Sequence, residues 1–147
     1  MTEFNVNVKK LSENAVIPTY GSAFAAGADL YACLDESLTV EPGETKFVHT
    51  GISMEIPEGF GGFVHARSGL ASKRGLAPAN KVGVIDSDYR GEIMVALHNH
   101  GKEAQTVQHG ERIAQIVIMP YAAAKFIECE ELSDTVRGEG GFGSTGK

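Results

Sequence analysis

The stretch Phe47-Val48-His49-Thr50-Gly51-Ile52-Ser53-Met54-Glu55-Ile56 places an apolar side chain at every second position of its second half. A two-residue period is that of a β-strand with one buried face, and residues 4–8 and 113–119 repeat it. Turn-forming residues at 41–44 and 57–59 separate such runs at short intervals. The pattern therefore predicts an all-β protein, built as a sandwich or a barrel.

One short helix is predicted within this β chain. It begins near Ser68, whose hydroxyl can cap the amides of Leu70 and Ala71, and it ends by Gly75, where a left-handed backbone costs little. The chain has 147 residues, which is enough for one domain with a real core but too few for two. We therefore predict a single domain over residues 1–136, followed by a separate terminal element.

Residues 137–147 form that terminal element. Phe142 is their only large apolar side chain, so the segment cannot bury enough surface to offset the entropy lost on ordering. We predict a flexible glycine-rich arm, and its arginine, aromatic ring, hydroxyls and lysine suit closure over a ligand with a base and phosphates. Residues 141–147 also spell GxxxxGK, but a P-loop needs a preceding strand and a following helix, and this composition predicts neither.

Charge and cysteine usage limit the partners and the compartment. The formal net charge of -6 provides no polycationic face, so we expect neither nucleic acid nor a membrane as a partner. A phosphate ligand would instead be a small molecule, bound by a few placed arginines, lysines and backbone amides. Cys33 and Cys129 lack CxxC spacing, which predicts buried free thiols rather than a disulfide. No secretory pattern opens the sequence and no run approaches membrane-spanning length, so a cytoplasmic location is the expectation.

Residues 83–91, Gly-Val-Ile-Asp-Ser-Asp-Tyr-Arg-Gly, give the strongest chemical signal. Val84 and Ile85 supply a strand, and the polar residues after it predict the exposed end of a hairpin. Asp86 and Tyr89 would project there between the two bracketing glycines. An isolated Asp-Ser-Asp sequence is more often a solvated turn, so the functional interpretation depends on the rest of the chain.

Two further places are typical of ligand contacts. Residues 67–69, Arg-Ser-Gly, combine a guanidinium, a hydroxyl and a free amide at a helix N-terminus, although a salt-bridged arginine beside a capping serine is the ordinary alternative. Strand alternation puts Gln115 on the same face as Ile113, which indicates a buried polar contact or a ligand. His98 and His100 share a strand face, but two histidines without a third ligand predict no zinc site.

The chain resembles the homotrimeric deoxyuridine triphosphate nucleotidohydrolases, or dUTPases, whose motifs it repeats in order along nearly its whole length. These motifs are AGADL at 26–30, ARSGL at 66–70, residues 80–91, GERIAQ at 110–115 and RGEGGFGSTG at 137–146. The resemblance implies a distorted jelly-roll, β-barrel-like subunit and a homotrimer with active sites at subunit interfaces. It also implies the activity of a dUTP diphosphatase, which hydrolyses dUTP to dUMP and pyrophosphate with Mg²⁺.

The resemblance also implies roles for residues that match the family's motifs. Asp86 matches the carboxylate that orients and deprotonates the attacking water. Tyr89 matches the ring that packs on the deoxyribose and leaves no room for a ribose 2′-hydroxyl. The residues that match contacts to the base and its flank are Asn80, Val84, Ile85 and Met94.

The remaining matches concern the phosphates, the metal and the arm. Asp29 resembles the acid that holds waters of the magnesium shell, while the ion itself is bound mostly by substrate oxygens. Phe142 would stack on the uracil. The residues that resemble phosphate ligands or close the arm over the substrate are Arg67, Ser68, Gly69, Gln115, Arg137, Gly143 and Ser144.

Two alternatives stay open beside this interpretation. A deoxycytidine triphosphate deaminase shares the fold, but it needs a catalytic glutamate facing the pyrimidine and has no use for the Phe142 arm. A non-catalytic regulatory trimer that binds dUTP would be expected to have lost Asp86 or the arm, and both are intact in the sequence. We expect turnover to separate these possibilities.

Overall fold

The computed structural model describes residues 4–141, and this part of the chain contains twelve strands and one helix. The strands before the helix are β1 (Asn7–Lys10), β2 (Thr19–Tyr20), β3 (Ala28–Tyr31), β4 (Leu38–Val40), β5 (Thr45–His49), β6 (Ile52–Glu55) and β7 (Phe60–His65). After helix α1 (Ser68–Arg74) follow β8 (Leu76–Pro78), β9 (Gly83–Ile85), β10 (Met94–Asn99), β11 (Gln105–Val107) and β12 (Arg112–Pro120). The predicted fold class is therefore confirmed.

The strands pair antiparallel in several small sheets. The largest has the order β2-β3-β12-β7-β9, and a three-stranded sheet has the order β5-β10-β8. Two further pairs, β1-β6 and β11-β4, complete the arrangement. Short antiparallel sheets that bury one face against a shared core give the distorted jelly-roll, barrel-like fold that the sequence predicted.

The core consists of aliphatic side chains from strands of every sheet. Leu30, Leu97 and Ile113 are fully buried. Ile52 and Met54 also point inward, as their two-residue spacing predicted. Burying each large aliphatic side chain contributes roughly 1.5–3 kcal/mol, so this periodic pattern is what holds the sheets together.

A bulge interrupts the alternation of β12. The register with β3 shifts between Arg112 and Ala114, so Ile113 and Ala114 are both fully buried although they are neighbours. The prediction that Ile113 and Gln115 share one face is therefore wrong. A bulge opposes two residues to one on the partner strand, and this shift turns Gln115 away from the core.

Helix α1 begins and ends where the sequence predicted, but its first turn is capped differently. Gly75 takes the left-handed conformation at the C-cap with φ of 66°. The N-cap residue is Arg67, and no side-chain hydrogen bond caps the helix, so the predicted capping by Ser68 is wrong. The amide of Ala71 donates instead to the backbone oxygen of Arg67 at 2.9 Å, in the ordinary helical pattern.

The segment 83–91 forms a strand and a turn, as predicted, but not a hairpin with the strand that follows. β9 pairs with β7, whereas β10 pairs with β5 and β8. The chain reverses through a turn in which the amide of Tyr89 donates to the backbone oxygen of Asp86 at 3.1 Å. This turn carries the candidate catalytic residues out from the edge of the largest sheet.

The described chain continues beyond β12 without regular structure. Residues 121–141 contain neither strand nor helix, and their apolar side chains are exposed. Phe126, Leu132 and Val136 have relative exposures of 95%, 87% and 111%. Within residues 4–141, this segment therefore buries none of its large apolar side chains.

The two cysteines of the described chain differ in burial. Cys33 is half-buried and Cys129 is exposed, and both are free thiols, so the prediction of two buried thiols is wrong for Cys129. Cys129 is exposed because it lies in the irregular segment 121–141, whose side chains do not pack into the core. Within residues 4–141, no helix has the length and apolar character needed to cross a membrane.

Candidate active site

A small cavity of about 180 Å³ brings together most of the residues predicted to contact the base and sugar. Its lining consists of Phe47, Val84, Ile85, Asp86, Tyr89, Glu92 and Met94. Side chains from β5, from β9 with its following turn, and from the start of β10 thus form one concave surface. Apolar walls with a few convergent polar groups are typical of a small-ligand site.

The edge position of β9 explains how the backbone of Val84 and Ile85 can recognise a ligand. β9 ends the order of the five-stranded sheet and pairs with β7 in the described chain. The other edge of an outer strand presents amide and carbonyl groups to the surroundings, which can match the hydrogen-bonding edge of a planar base. Close packing on β7 depends on Gly62, where a Cβ would lie 3.3 Å from the Cβ of Ile85.

Asn80 lies just before this edge strand. The amide of Val82 donates to the backbone oxygen of Asn80 at 2.7 Å, which closes a tight turn. Lys81 within the turn has a left-handed φ of 65°, a conformation that costs a non-glycine residue about 1 kcal/mol or more. The Nδ2 atom of Asn80 lies 3.2 Å from the position that a Cβ on Gly83 would occupy. The predicted base contact is therefore beside β9.

Asp86 lies where two cavities meet. Besides the small cavity, it lines an open depression of about 820 Å³ whose acidic residues include Glu55, Glu58 and Asp88. Its carboxylate is exposed, so a water molecule can approach it. An accessible carboxylate at the mouth of an apolar cavity is suited to accept a proton from water.

A second cluster, on the central strands of the same sheet, is built around Asp29. The carboxylate is buried, with side-chain exposure of 10%, and it binds guanidinium groups from two other segments. Arg67 Nε donates to Asp29 Oδ1 at 2.7 Å, and Arg112 Nη1 donates to Asp29 Oδ2 at 3.3 Å. One carboxylate between two guanidinium groups leaves a net positive charge, which suits phosphate.

Gln115 and the start of α1 complete this cluster. Gln115 stands opposite Asp29 in the pairing of β12 with β3, and its Nε2 donates to the backbone oxygen of Ala66 at 2.9 Å. The polar contact at this position is therefore half-buried instead of buried, and a ligand contact there stays a prediction. Ser68 and Gly69 follow at the exposed first turn of α1, and a Cβ on Gly69 would meet no atom within 4 Å.

Within residues 4–141, the two cavities that Asp86 lines do not reach the Asp29 cluster. Neither cavity lined by Asp86 contains Asp29, Arg67 or Gln115 in its wall. Arg137 lines neither of them, and its Nε donates to the backbone oxygen of Gly140 at 2.7 Å. The predicted contacts of Phe142, Gly143 and Ser144 lie outside the described residues.

The histidine pair forms no metal site. The rings of His98 and His100 meet edge to face with centroids 4.3 Å apart, and His98 Nδ1 lies 2.8 Å from the hydroxyl oxygen of Thr45. Among residues 4–141, no group of three or more histidine, cysteine, aspartate or glutamate side chains could hold a metal ion. A resident protein cage for a cation is therefore not part of this region.

Comparison with known proteins identifies the family. A family model described as dUTPase matches residues 13–146. The chain belongs to the dUTPase family. It is 56% identical over 131 residues to a deoxyuridine 5'-triphosphate nucleotidohydrolase of Desulfitobacterium hafniense, covering 88% of this chain and 87% of that protein. It is 51% identical over 142 residues to the protein of that name from Nautilia profundicola, covering 97% and 99%.

Solved structures agree with this assignment. The Staphylococcus bacteriophage 80alpha dUTPase with dUPNHPP is similar to this dUTPase with a TM-score of 0.88 and 32% sequence identity. The match covers 97% of this chain and 99% of that chain. The family resemblance read from the motifs is thus confirmed, and so is the fold.

Some residues of this dUTPase's candidate site were not anticipated. Phe47 and Glu92 line the small cavity, and Arg112 contacts Asp29. Phe47 could have been singled out from the sequence as a large apolar side chain at an outward strand position. It is 65% exposed in the fold. Glu92 and Arg112 had none, because their partners come from distant segments of the chain.

Proposed function

We propose that this dUTPase hydrolyses dUTP to dUMP and pyrophosphate, with Asp86 as the general base. The exposed carboxylate of Asp86 beside the apolar cavity is the observation that supports this role most directly. Asp86 accepts a proton from water as the water oxygen bonds to the α-phosphorus. The bond from that phosphorus to the oxygen bridging to the β-phosphate breaks, and pyrophosphate leaves with the electron pair.

The small cavity holds the nucleoside in this proposal. The free edge of β9 and the side chain of Asn80 hydrogen-bond the uracil, while Met94 flanks the nucleotide. Tyr89 is 42% exposed and packs one face against the deoxyribose, where a 2′-hydroxyl would collide with the ring. A narrow cavity of about 180 Å³ supports selection of a small pyrimidine and its sugar.

The Asp29 cluster binds the triphosphate in this proposal. Arg67 is held by Asp29 through its Nε, which leaves the two terminal nitrogens of the guanidinium to form a fork toward phosphate oxygens. Ser68, Gly69 and Gln115 add a hydroxyl, an amide and a side-chain amide. Fixed donors of this kind orient the phosphate chain for in-line displacement without reorganising during the reaction.

Mg²⁺ fits the donor set as an ion that the triphosphate brings with it. The described residues form no protein cage for a metal, and both carboxylate oxygens of Asp29 already accept from arginines. Asp29 would hold the ion through one of its water molecules, since each oxygen retains a further lone pair. When bound, Mg²⁺ supplies neutralisation of the phosphate charge during transfer.

We further infer a homotrimer in which each active site combines segments of different subunits. Within one chain, the Asp86 and Asp29 clusters share neither cavity that Asp86 lines, and the apolar side chains of residues 121–141 are exposed. Both features are expected of a subunit whose site and surface are completed by a neighbour. The arm of residues 137–147 then closes over the nucleotide, with Arg137 and Ser144 on the phosphates and Phe142 on the uracil. The proposed location is the cytoplasm, where nucleotides are metabolised.

The activity is tested by pyrophosphate release from dUTP with Mg²⁺, run beside UTP, dTTP and dCTP. We expect turnover of dUTP alone, and a loss of about 10²–10⁴-fold in the Asp86→Asn variant, as is typical for a general base. Release of ammonia from dCTP would favour the deaminase, and no turnover of any of the four nucleotides would favour a non-catalytic binding protein.

The shared site is tested by mixing two inactive variants, Asp86→Asn and Arg67→Ala, under conditions that exchange subunits. If each site takes Asp86 from one subunit and Arg67 from another, random assembly restores roughly a quarter of wild-type activity. Mixing would restore no activity if both residues served the same site from one chain. Light scattering coupled to size-exclusion chromatography gives the number of subunits independently.

A further inference from the structure

The ring of Tyr89 is held against the chain that follows it. Its hydroxyl donates to the backbone oxygen of Glu92 at 3.0 Å. The ring also lies on Gly91, where a Cβ would overlap the hydroxyl oxygen and lie 2.5 Å from Cζ. With this side occupied, the ring lines the small cavity with its remaining exposed surface. The position of the ring therefore depends on residues 91 and 92.

The side chain of Glu92 anchors that support to the core. Its Oε2 accepts from His49 Nδ1 at 2.8 Å, and its Oε1 accepts from the amide of Gly51 at 2.8 Å. Gly51 is itself constrained, because it has φ of 66° and a Cβ there would lie 2.8 Å from the sulfur of Cys33. Glu92 thus ties the support of Tyr89 to the buried turn between β5 and β6.

We propose that Glu92 is a positioning residue that determines how strictly this enzyme rejects ribonucleotides. The proposal rests on the role proposed for Tyr89 in sugar recognition. A ring rejects one additional oxygen atom only if it cannot retreat, and binding sites need positions held within about 0.5 Å. Glu92 supplies that rigidity through its carbonyl, which binds the ring hydroxyl, and through its carboxylate, which holds the carbonyl in place.

The test compares variants by the ratio of kcat/KM for dUTP to kcat/KM for UTP. Glu92→Met keeps the length of the side chain and removes both acceptors, whereas Glu92→Gln keeps an acceptor for the amide of Gly51. We expect Glu92→Met, which loses both hydrogen bonds of the carboxylate, to lower the ratio by about tenfold or more, mainly through a lower KM for UTP. Glu92→Gln should restore most of the ratio. The exposed Glu103, changed to Met, is the matched control.

Two more variants keep the proposal testable if Glu92→Met does not fold. His49→Leu removes one anchor at a half-exposed side chain, and Gly91→Ala displaces the ring hydroxyl from the backbone oxygen of Glu92. Both should lower the ratio. Thermal melting of each variant separates the two explanations, because an anchor for stability alone would lower Tm and leave the ratio unchanged.

The outcomes distinguish this proposal from the one it rests on. If wild-type enzyme shows no preference for dUTP over UTP, or if Tyr89→Ala preserves the preference, the role of Tyr89 is wrong. If Tyr89→Ala abolishes the preference while Glu92→Met, His49→Leu and Gly91→Ala all preserve it, the role of Tyr89 stands and that of Glu92 is overturned.

Discussion

Gly27 lies beside Gln115 in the Asp29 cluster, where a Cβ would collide with the Gln115 side chain, and its replacement by alanine tests how that cluster is built. A Cβ at this position would lie 2.5 Å from Gln115 Oε1, 3.1 Å from Cδ and 3.2 Å from Cγ. All three atoms belong to the side chain whose Nε2 donates to the backbone oxygen of Ala66. Gly27→Ala therefore forces the end of the Gln115 side chain to move, and this movement weakens its hydrogen bond to Ala66.

The cost can be worked from these contacts. The Gln115 oxygen must retreat by at least about 0.5 Å, and because it ends a half-buried, flexible side chain, the bond to Ala66 is the main contact at risk. Losing that bond costs about 1 kcal/mol, and an off-rotamer side chain adds roughly 0.5–1.5 kcal/mol. We expect Gly27→Ala to lower the free energy of unfolding by at most about 2 kcal/mol. If Gln115 and Arg67 bind phosphate as proposed, the KM for dUTP should rise about tenfold, because the Gln115 side chain is displaced and Arg67 follows the loosened Ala66.

The assay is thermal melting together with steady-state kinetics, with Gly21→Ala as the matched control. Gly21 lies in the same loop, and a Cβ there meets no atom within 4 Å. The decisive arm repeats Gly27→Ala in a Gln115→Ala background, where the stability cost should disappear because the colliding atoms are gone. A cost that persists in that background, or equal behaviour of the two glycine variants, would refute the assigned contact.

Three other predictions concern stability, pH and the metal. Gly75→Ala should destabilise the protein by about 2–3 kcal/mol in chemical denaturation, because the residue has φ of 66° and its Cβ would lie 2.8 Å from the Gly101 nitrogen. The control is Gly110→Ala, which should cost about 1 kcal/mol because Gly110 is also left-handed but a Cβ there meets no atom within 4 Å. The pKa of His100 lies below its usual value because desolvation and then the charges of His98 and Lys81 disfavour protonation. The unfolded chain therefore takes up this proton first, so stability should fall as pH drops below about 6.5, and His100→Gln should flatten that dependence in melting curves. Removal of Mg²⁺ by a chelator should abolish turnover. Calorimetry should detect Mg²⁺ binding to the enzyme only in the presence of a non-hydrolysable dUTP analogue. Tight binding of Mg²⁺ to the nucleotide-free enzyme would contradict the proposal that the substrate brings the ion.

Much of the fold could be predicted because its signals are local. The alternation around Ile52 and Met54 reports the face of a strand, and the glycine at 75 reports the end of a helix, from neighbouring residues alone. Where a prediction failed, a distant partner decided the outcome. The bulge at Arg112 arises from pairing with β3, and the edge strand at Val84 pairs with β7 instead of forming a hairpin.

In the candidate site, too, the residues that are adjacent in the chain could be predicted and the contacts between distant segments could not. The segment around Asp86 and Tyr89 could be singled out because its residues are adjacent in the chain and lie on one cavity. The motif that contains Arg67 could be recognised, but its contact with Asp29 could not, because the two residues are 38 positions apart. The roles of these residues in turnover stay predictions that the variants above address.

The all-β class, the short helix of the described region, the family and its motifs follow from the order of residues alone, since each depends on local periodicity or on a contiguous run of residues. Only the tertiary structure decided which strand lies beside which, that Asp29 holds two arginines, and that Glu92 supports Tyr89 from the turn at Gly51. These contacts join segments far apart in the chain. Their geometry is set by how the sheets pack around a common core, and no local pattern encodes that packing.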